Sequence, residues 1–145
     1  MSELSLLKQV ALFAALEEGE LQQVAAIGND AEVGPNELIF RQNTTGTEMV
    51  VIAEGSVDVF IEGVNDSRSL IVLGKGQVVG EMALIDYGYR SASVRSTKEG
   101  CRYTVIERDE FIALCQKNTR IGFIVMRNLA IDLAFKLRHR NLTEM

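Results

Sequence analysis

The spacing of hydrophobic residues predicts helices at the amino end of the chain. Apolar side chains recur there every three or four positions, in two series separated by polar residues 17–20. This spacing places them on one face of an α-helix. The first series is Leu4, Leu7, Val10 and Ala14, and the second is Leu21, Val24, Ala25 and Ile27. We therefore expect two short helices within residues 1–29.

The middle of the chain, residues 30–107, has a different periodicity. Short apolar runs with period two, such as Val57, Val59 and Ile61, are separated by frequent glycines. This pattern predicts short antiparallel strands, closed as a β-barrel or jelly roll. Helical spacing returns over residues 108–141. The sequence thus predicts an α+β, mainly β, fold in which amino-terminal helices and a long carboxy-terminal helix flank the strands.

Size and composition narrow the class of protein. The 145 residues, 47% of them hydrophobic, can bury the core of one domain, so we expect a single domain over residues 1–145. The formal net charge of −5 opposes nonspecific attraction to nucleic acids and acidic membranes. Cys101 and Cys115 are too few for a disulfide framework. Because the amino end also lacks an apolar export signal, we expect a cytoplasmic protein with reduced cysteines.

The carboxy-terminal helix is apolar on more than one face. One series, predicted to cover the strands, is Ile121, Val125, Leu129, Leu133 and Leu137. A second series is Ile124, Ile131 and Phe135. The same helix of a second subunit would cover this series most simply, so we expect a homodimer; packing against a further domain is the alternative. Charged residues interrupt the apolar stretch, which opposes a membrane span; they are Arg127, Asp132 and Lys136.

A short segment after the apolar pair Val78 and Val79 carries residues suited to binding an anion. Residues 80–84, Gly-Glu-Met-Ala-Leu, are expected to form a helical turn whose backbone N–H groups can hold a phosphate. Arg90 offers a fork of donors for two phosphate oxygens, and Ser91 adds a hydroxyl. Glu81 can accept a hydrogen bond from a ribose hydroxyl. These residue types indicate a nucleotide whose phosphate lies near its ribose; a structural ion pair between Glu81 and Arg90 is the alternative.

The same segment resembles the cyclic-nucleotide-binding domain family, which includes catabolite-activator-like regulators and regulatory modules of kinases and ion channels. The resemblance rests on Gly-Glu-x-Ala-Leu, five further residues and Arg-Ser-Ala, present at residues 80–84 and 90–92. Supporting matches lie at residues 37–42, 54–59 and 76–79. The similarity therefore extends over nearly the whole chain.

The resemblance implies a phosphate-binding cassette at residues 79–92. In the family, the Gly and Glu of the first motif approach the ribose and phosphate, the Arg pairs with the cyclic phosphate, and the next Ser or Thr supports it. The residues carried over to this chain are Gly80, Glu81, Arg90 and Ser91, assisted by the backbone amides of Met82, Ala83 and Ala92. A residue of the last helix commonly caps the base. Arg138 is the candidate for that role, with Lys136 and Arg140 behind it.

The chain departs from the family at three places. Asn43 stands where Gly is usual, but Asn tolerates positive φ, so we expect the turn to persist. The DNA-reading helix-turn-helix of the transcription factors would follow the long helix, and the sequence ends at Met145; direct DNA binding is therefore not expected. The last helix also lacks the Thr-Ser pair with which catabolite activators read adenine. The identity of the base therefore stays open: we expect cAMP, and cGMP is the alternative. A cyclic dinucleotide also fits, because the phosphate-binding residues are not specific for one nucleotide.

The expected function is that of a ligand sensor without catalysis of its own. No pairing of a nucleophile with a base and no metal-binding cluster is visible in the sequence, so we expect no cofactor or metal besides the nucleotide. The carboxy-terminal helices would pass the signal to a dimer mate or to a protein partner, such as an enzyme or channel. The alternative is a protein-interaction scaffold that keeps the fold without the ligand.

Overall fold

The computed structural model describes residues 2–86 and 88–144, and the side chains within residues 4–86 and 88–139. The helices are α1 (Ser2–Lys8), α2 (Glu18–Ala26), α3 (Arg108–Lys117) and α4 (Thr119–Glu144). The strands are β1 (Gly28–Val33), β2 (Leu38–Phe40), β3 (Glu48–Glu62), β4 (Ser67–Leu73), β5 (Val78–Val79) and β6 (Ser93–Glu107). Two single 3-10 turns lie at Ala11–Phe13 and Glu81–Leu84.

The strands form one antiparallel sheet with flanking helices, which confirms the predicted mainly β fold. The sheet order is β1-β6-β3-β4, while β2 pairs with β6 and β5 pairs with β3. The two long strands, β3 and β6, contain 15 residues each and form the centre of the sheet. The sheet is not closed, so the jelly-roll form of the prediction is correct and the closed barrel is not.

Both long strands bend where two glycines face each other. Gly55 of β3 has a φ of 82° and Gly100 of β6 has a φ of 73°, a region that side chains other than glycine rarely adopt. The pairing register of β3 with β6 shifts on either side of Gly55. A Cβ at Gly55 would collide with the carbonyl oxygen of Gly100. The bend lets the same two strands contribute to both halves of the roll.

The strand β3 separates two hydrophobic clusters because its side chains alternate. Met49 and Val51 are completely buried against the helices. Val50 and Ile52, equally buried, point into the interior of the roll. Further along β3, the predicted alternation fails at Phe60, which is 5% exposed. The guanidinium of Arg95 covers that ring at 4.3 Å, next to a register shift in the pairing with β4.

The helix α4 packs on the sheet less regularly than its sequence predicts. Ile121, Val125 and Leu129 are buried in the helix-side cluster, as expected. Ile124, which was assigned to an intermolecular surface, is also buried there at 5% exposure, so that assignment is wrong. The spacing also places Leu137 in the core, but Leu137 is 60% exposed because the contacts of α4 with the core cluster end at Leu133. Among the described residues, no helix is long and apolar enough to cross a membrane.

The amino-terminal segment is bent where its spacing predicts a continuous helix. α1 ends at Lys8, and Ala15 has a φ of 78°. The side-chain amide of Asn128, on α4, donates hydrogen bonds to the carbonyl oxygens of Leu12 and Ala14, at 2.9 and 2.8 Å. Those carbonyls would bond within the segment if the helix continued. α4 thus holds the amino-terminal segment in its bent form.

We expect Gly55→Ala to lower the free energy of unfolding by at least about 1–2 kcal/mol, because it combines an unfavourable φ with a backbone collision. Equilibrium unfolding in urea measures this loss. Gly19→Ala is the matched control: nothing lies within 4 Å of a Cβ at Gly19 in α2, and alanine favours a helix by up to about 1 kcal/mol. Equal stability of the two variants would contradict the role assigned to Gly55.

Candidate functional site

The predicted cassette lines a pocket of about 310 Å³ between the roll and α4. The strand β5 leads into the 3-10 turn Glu81–Leu84, and the following loop returns to β6. The pocket is lined mainly by apolar side chains, with one arginine, one lysine and two carboxylates. Its principal walls are Phe40, Val59, Ile71, Leu73, Val79, Gly80, Glu81, Met82, Ala83, Arg90, Ser91, Ala92, Leu133 and Lys136. Such a lining suits a small organic ligand that also carries charge.

Gly80 lines the pocket next to Arg90, and its surroundings leave no room for a side chain. Its φ of 78° lies in the left-handed region. A Cβ there would lie 2.5 Å from Nη1 of Arg90, 2.8 Å from the Phe40 ring and 2.9 Å from the carbonyl oxygen of Glu48. The glycine therefore permits both the turn after β5 and the close approach of the Arg90 guanidinium.

Arg90 is only 9% exposed, and its side chain is held in place by two contacts. Its Nη2 donates a 2.8 Å hydrogen bond to the carbonyl oxygen of Glu48. The guanidinium carbon lies 3.6 Å from the centre of the Phe40 ring, a close cation–π contact. Burial lowers the pKa of Arg90, and the charges of Glu48 and Glu107 act against that change. Arginine is charged at any physiological pH even so.

Two carboxylates lie near Arg90 on the side away from the pocket. Glu48 is the first residue of β3, and Glu107 is the last residue of β6. Glu48 and Glu107 are paired across these strands, and the Thr47 hydroxyl donates a 3.0 Å hydrogen bond to Glu107. The pKa of Glu48 is raised by burial and by its contact with Glu107, and the positive charge of Arg90 lowers it in part. Arg90 therefore lies between this acidic pair and the pocket.

The backbone around Arg90 is fastened to the loop before β3. The Arg90 N–H donates to the Thr44 carbonyl at 2.7 Å, and the Asn43 N–H donates to the Arg90 carbonyl at 2.9 Å. A bridge pairs Thr45 with Tyr89. Asn43 has a φ of 67°, so the turn persists with asparagine in place of glycine, as predicted.

On the opposite side of the pocket, Glu81 is bonded to α4. Lys136 Nζ lies 3.0 Å from Glu81 Oε2 and 3.0 Å from Asp132 Oδ2. The Glu81 side chain is 12% exposed, whereas that of Lys136 is 58% exposed. Burial lowers the pKa of Lys136, but its bonds to Asp132 and Glu81 outweigh burial and raise it overall. The lysine is therefore a stable cation at the edge of the pocket.

The comparison with known protein families agrees with this geometry. The sequence profile of the cyclic nucleotide-binding domain matches residues 31–118, which is more than half of the chain. The chain belongs to the cyclic nucleotide-binding domain family. This match contains the whole sheet from the fourth residue of β1 onward and the complete cassette.

Individual relatives and solved structures are similar to this chain over more residues than the family profile matches. The cyclic AMP receptor protein of Thermus thermophilus is 34% identical over 105 residues, which cover 72% of this chain and 46% of that protein. The crystal structure of the Thermus thermophilus catabolite activator protein has a TM-score of 0.82 at 30% identity, covering 92% of this chain and 61% of that one. The chain therefore spans less than half of that curated relative.

A regulatory domain of a protein kinase is also similar. The co-crystal structure of the regulatory domain of Toxoplasma gondii PKA with cAMP has a TM-score of 0.72 at 25% identity. The match covers 78% of this chain and 43% of that chain. The fold of this chain is thus similar to those of a catabolite activator protein and of a kinase regulatory domain.

The structure brings seven of the eight predicted site residues to one pocket: Gly80, Glu81, Met82, Ala83, Arg90, Ser91 and Ala92. Arg138 is not among the pocket residues and is exposed on α4, whereas Lys136, one helical turn from Asp132, lines the pocket. The side chain of Arg140 lies outside the described residues. Ligand contacts by these residues stay a prediction of the family resemblance.

Sequence reasoning missed the residues that support Arg90. Phe40 and Gly46 contact its guanidinium, and the Glu48 carbonyl accepts its hydrogen bond. Phe40 lies within residues 37–42, which resemble the family. This resemblance was the available signal that the segment has a role besides forming a strand. In the part of the chain that the structure describes, no group of three or more His, Cys, Asp or Glu residues is placed to hold a metal ion.

We expect Gly80→Ala to destabilise the protein by at least about 1–2 kcal/mol, because the new methyl group must displace Arg90 or Phe40. Thermal and urea unfolding measure the effect. Gly88→Ala, in the same loop, is the control: its Cβ would lie 3.5 Å or more from the Asp86 carboxylate, an ordinary contact. A Gly80→Ala variant as stable as Gly88→Ala would show that the turn adapts without cost.

Proposed function

We propose that this chain is a cytoplasmic, non-catalytic sensor that binds cAMP, or alternatively cGMP, and passes the signal through α4. The observation that carries this proposal is the buried Arg90 guanidinium in a pocket lined mainly by apolar side chains. Among the described residues, no carboxylate forms an ion pair with it; its polar partner is a carbonyl oxygen. An anionic phosphate in the pocket would pair with it directly, which the more distant charges of Glu48 and Glu107 do not.

The position of Glu81 supports a ribose next to that phosphate. Glu81 and Arg90 line the same pocket of about 310 Å³, on either side of the Gly80 turn. A carboxylate accepts hydrogen bonds from hydroxyl groups, and a guanidinium donates them to phosphate oxygens. A nucleotide whose phosphate closes onto its own ribose offers both groups within one small pocket.

The apolar walls support a stacked or partly enclosed base. Val59, Ile71 and Leu133 lie across the pocket from the cassette. These side chains carry no hydrogen-bonding groups that would distinguish adenine from guanine. The preference for cAMP therefore rests on the relatives, one of which is a cyclic AMP receptor protein and another a regulatory domain solved with cAMP.

The connections of α4 support its role in transmission. α4 contacts the pocket through Leu133 and Lys136 and the amino-terminal segment through Asn128. A ligand that favours one position of α4 would therefore also change the packing of residues 11–15. Regulation requires that the nucleotide bind one arrangement more tightly, with a coupling of about 1–3 kcal/mol in typical cases.

The exposed face of α4 supports the proposed homodimer. Phe123, Ile131 and Phe135 are 66%, 60% and 58% exposed, at spacings that place them along one side of the helix. Ile131 and Phe135 are one turn apart, and exposed apolar pairs of this kind are typical of an interaction surface. Phe123 lies two turns before Ile131, with the Arg127 guanidinium 5.9 Å from the centre of its ring. Two copies of α4 related by a two-fold axis would cover one another.

The test of ligand binding is a calorimetric titration with cAMP and cGMP. We expect saturable binding of at least one of them, and at least about thirtyfold weaker binding by Arg90→Ala, as for the loss of a buried charge pair. Arg95→Ala is the matched control, because Arg95 also lies over a phenylalanine ring but is not among the pocket residues. We expect its affinity to stay within about twofold of the original. A folded, nucleotide-free protein that binds neither ligand would instead indicate the interaction scaffold.

The test of the dimer is sedimentation equilibrium of Ile131→Glu. Placing a charge in the middle of the exposed stripe should convert a dimer into monomers, because burying an unpaired carboxylate is costly. Val64→Glu, at a position 99% exposed between β3 and β4, should leave the association unchanged. A dimer that survives Ile131→Glu would place the interface elsewhere.

A further inference from the structure

A second cavity adjoins the pocket on the far side of the bond between Glu81 and Lys136. This groove has a volume of about 680 Å³ and runs between α4, β4 and the segment around Val10. It shares five lining residues with the pocket: Ile71, Leu73, Val78, Glu81 and Lys136. The Glu81–Lys136 ion pair is thus at the common boundary of the two cavities.

The pocket alone is small for a nucleotide. Its volume of about 310 Å³ is at the lower end of the range of about 300–1,000 Å³ in which small-molecule sites fall. A ligand that places its phosphate at Arg90 and its ribose at Glu81 reaches the boundary between the two cavities. A ribose hydroxyl bonded to Glu81 would there meet the Lys136 ammonium group.

We propose that Lys136 is an intramolecular competitor for the Glu81 carboxylate, and that the ligand must displace it to bind Glu81. This inference rests on the proposed nucleotide binding. The ammonium group of Lys136 donates a 3.0 Å hydrogen bond to Glu81 Oε2. A ribose hydroxyl that takes its place satisfies the carboxylate, which is 12% exposed and needs a donor.

Asp132 makes the displacement of Lys136 possible. Its carboxylate lies 3.0 Å from Lys136 Nζ, one turn earlier on α4. The Lys136 side chain is 58% exposed, so it can keep its bond to Asp132 and its hydration when its bond to Glu81 is broken. Opening the boundary therefore leaves no buried unpaired cation, and α4 is released from the cassette at the same time. The ion pair would lower the ligand affinity and hold α4 against the cassette.

Two variants with opposite expected effects test this competition. Lys136→Met removes the competitor, so the tighter of cAMP and cGMP should bind about two- to fivefold more tightly, the factor associated with a partly exposed ion pair. Asp132→Asn removes the alternative partner of Lys136 and strengthens its hold on Glu81, so binding should weaken by a similar factor. Both directions are opposite to the effect of net charge on an anionic ligand.

The control for charge is Arg127→Met, which removes one positive charge from an exposed position of α4 outside both cavities. Calorimetric titration of the four proteins with cAMP and cGMP distinguishes the outcomes. Weaker or unchanged binding by Lys136→Met, while the original protein binds, would overturn the competition and leave the nucleotide site intact. Absence of binding by both the original protein and Lys136→Met would overturn the proposed function together with this inference.

Discussion

The burial of one guanidinium organises the site in this protein. Arg90 lies over Phe40, against Gly46 and Gly80, and it is bonded to the backbone of Glu48. A buried charge is unfavourable unless it is paired or hydrogen-bonded. The surrounding elements satisfy it only in part, with a carbonyl, an aromatic face and more distant carboxylates. The guanidinium also lines the pocket, where it has donors left for the phosphate of the proposed ligand.

The opposite wall of the site is a helix with several different contacts. α4 contributes Leu129 to the helix-side core, Asn128 to the amino-terminal segment and Lys136 to the cassette. Its outer face presents Phe123 and Ile131 to solvent. One helix thus contacts the pocket, the amino-terminal segment and solvent, which is the structural basis of its proposed role in transmission.

The class of each element was predictable because it depends on local spacing. Period-two and helical patterns correctly located the central sheet and the flanking helices. Errors arose where a contact distant in sequence overrode the local pattern. Phe60 is buried because Arg95 covers it, and the helix predicted through Ala14 is bent by hydrogen bonds from Asn128. The burial of Ile124 depends on neighbours that the spacing within one helix does not reveal.

The sequence by itself determined the cassette, because the backbone conformation at Gly80 and the donors of Arg90 are properties of a short segment with a characteristic spacing. The seven candidate residues of the cassette meet in one pocket for that reason. Only the tertiary structure decided which residues support Arg90 and which residue of α4 lies at the site. Phe40, Glu48 and Lys136 come from separate elements, and their proximity depends on strand pairing and on the placement of α4. Those long-range distances are set by packing of the whole fold, so no local pattern contains them.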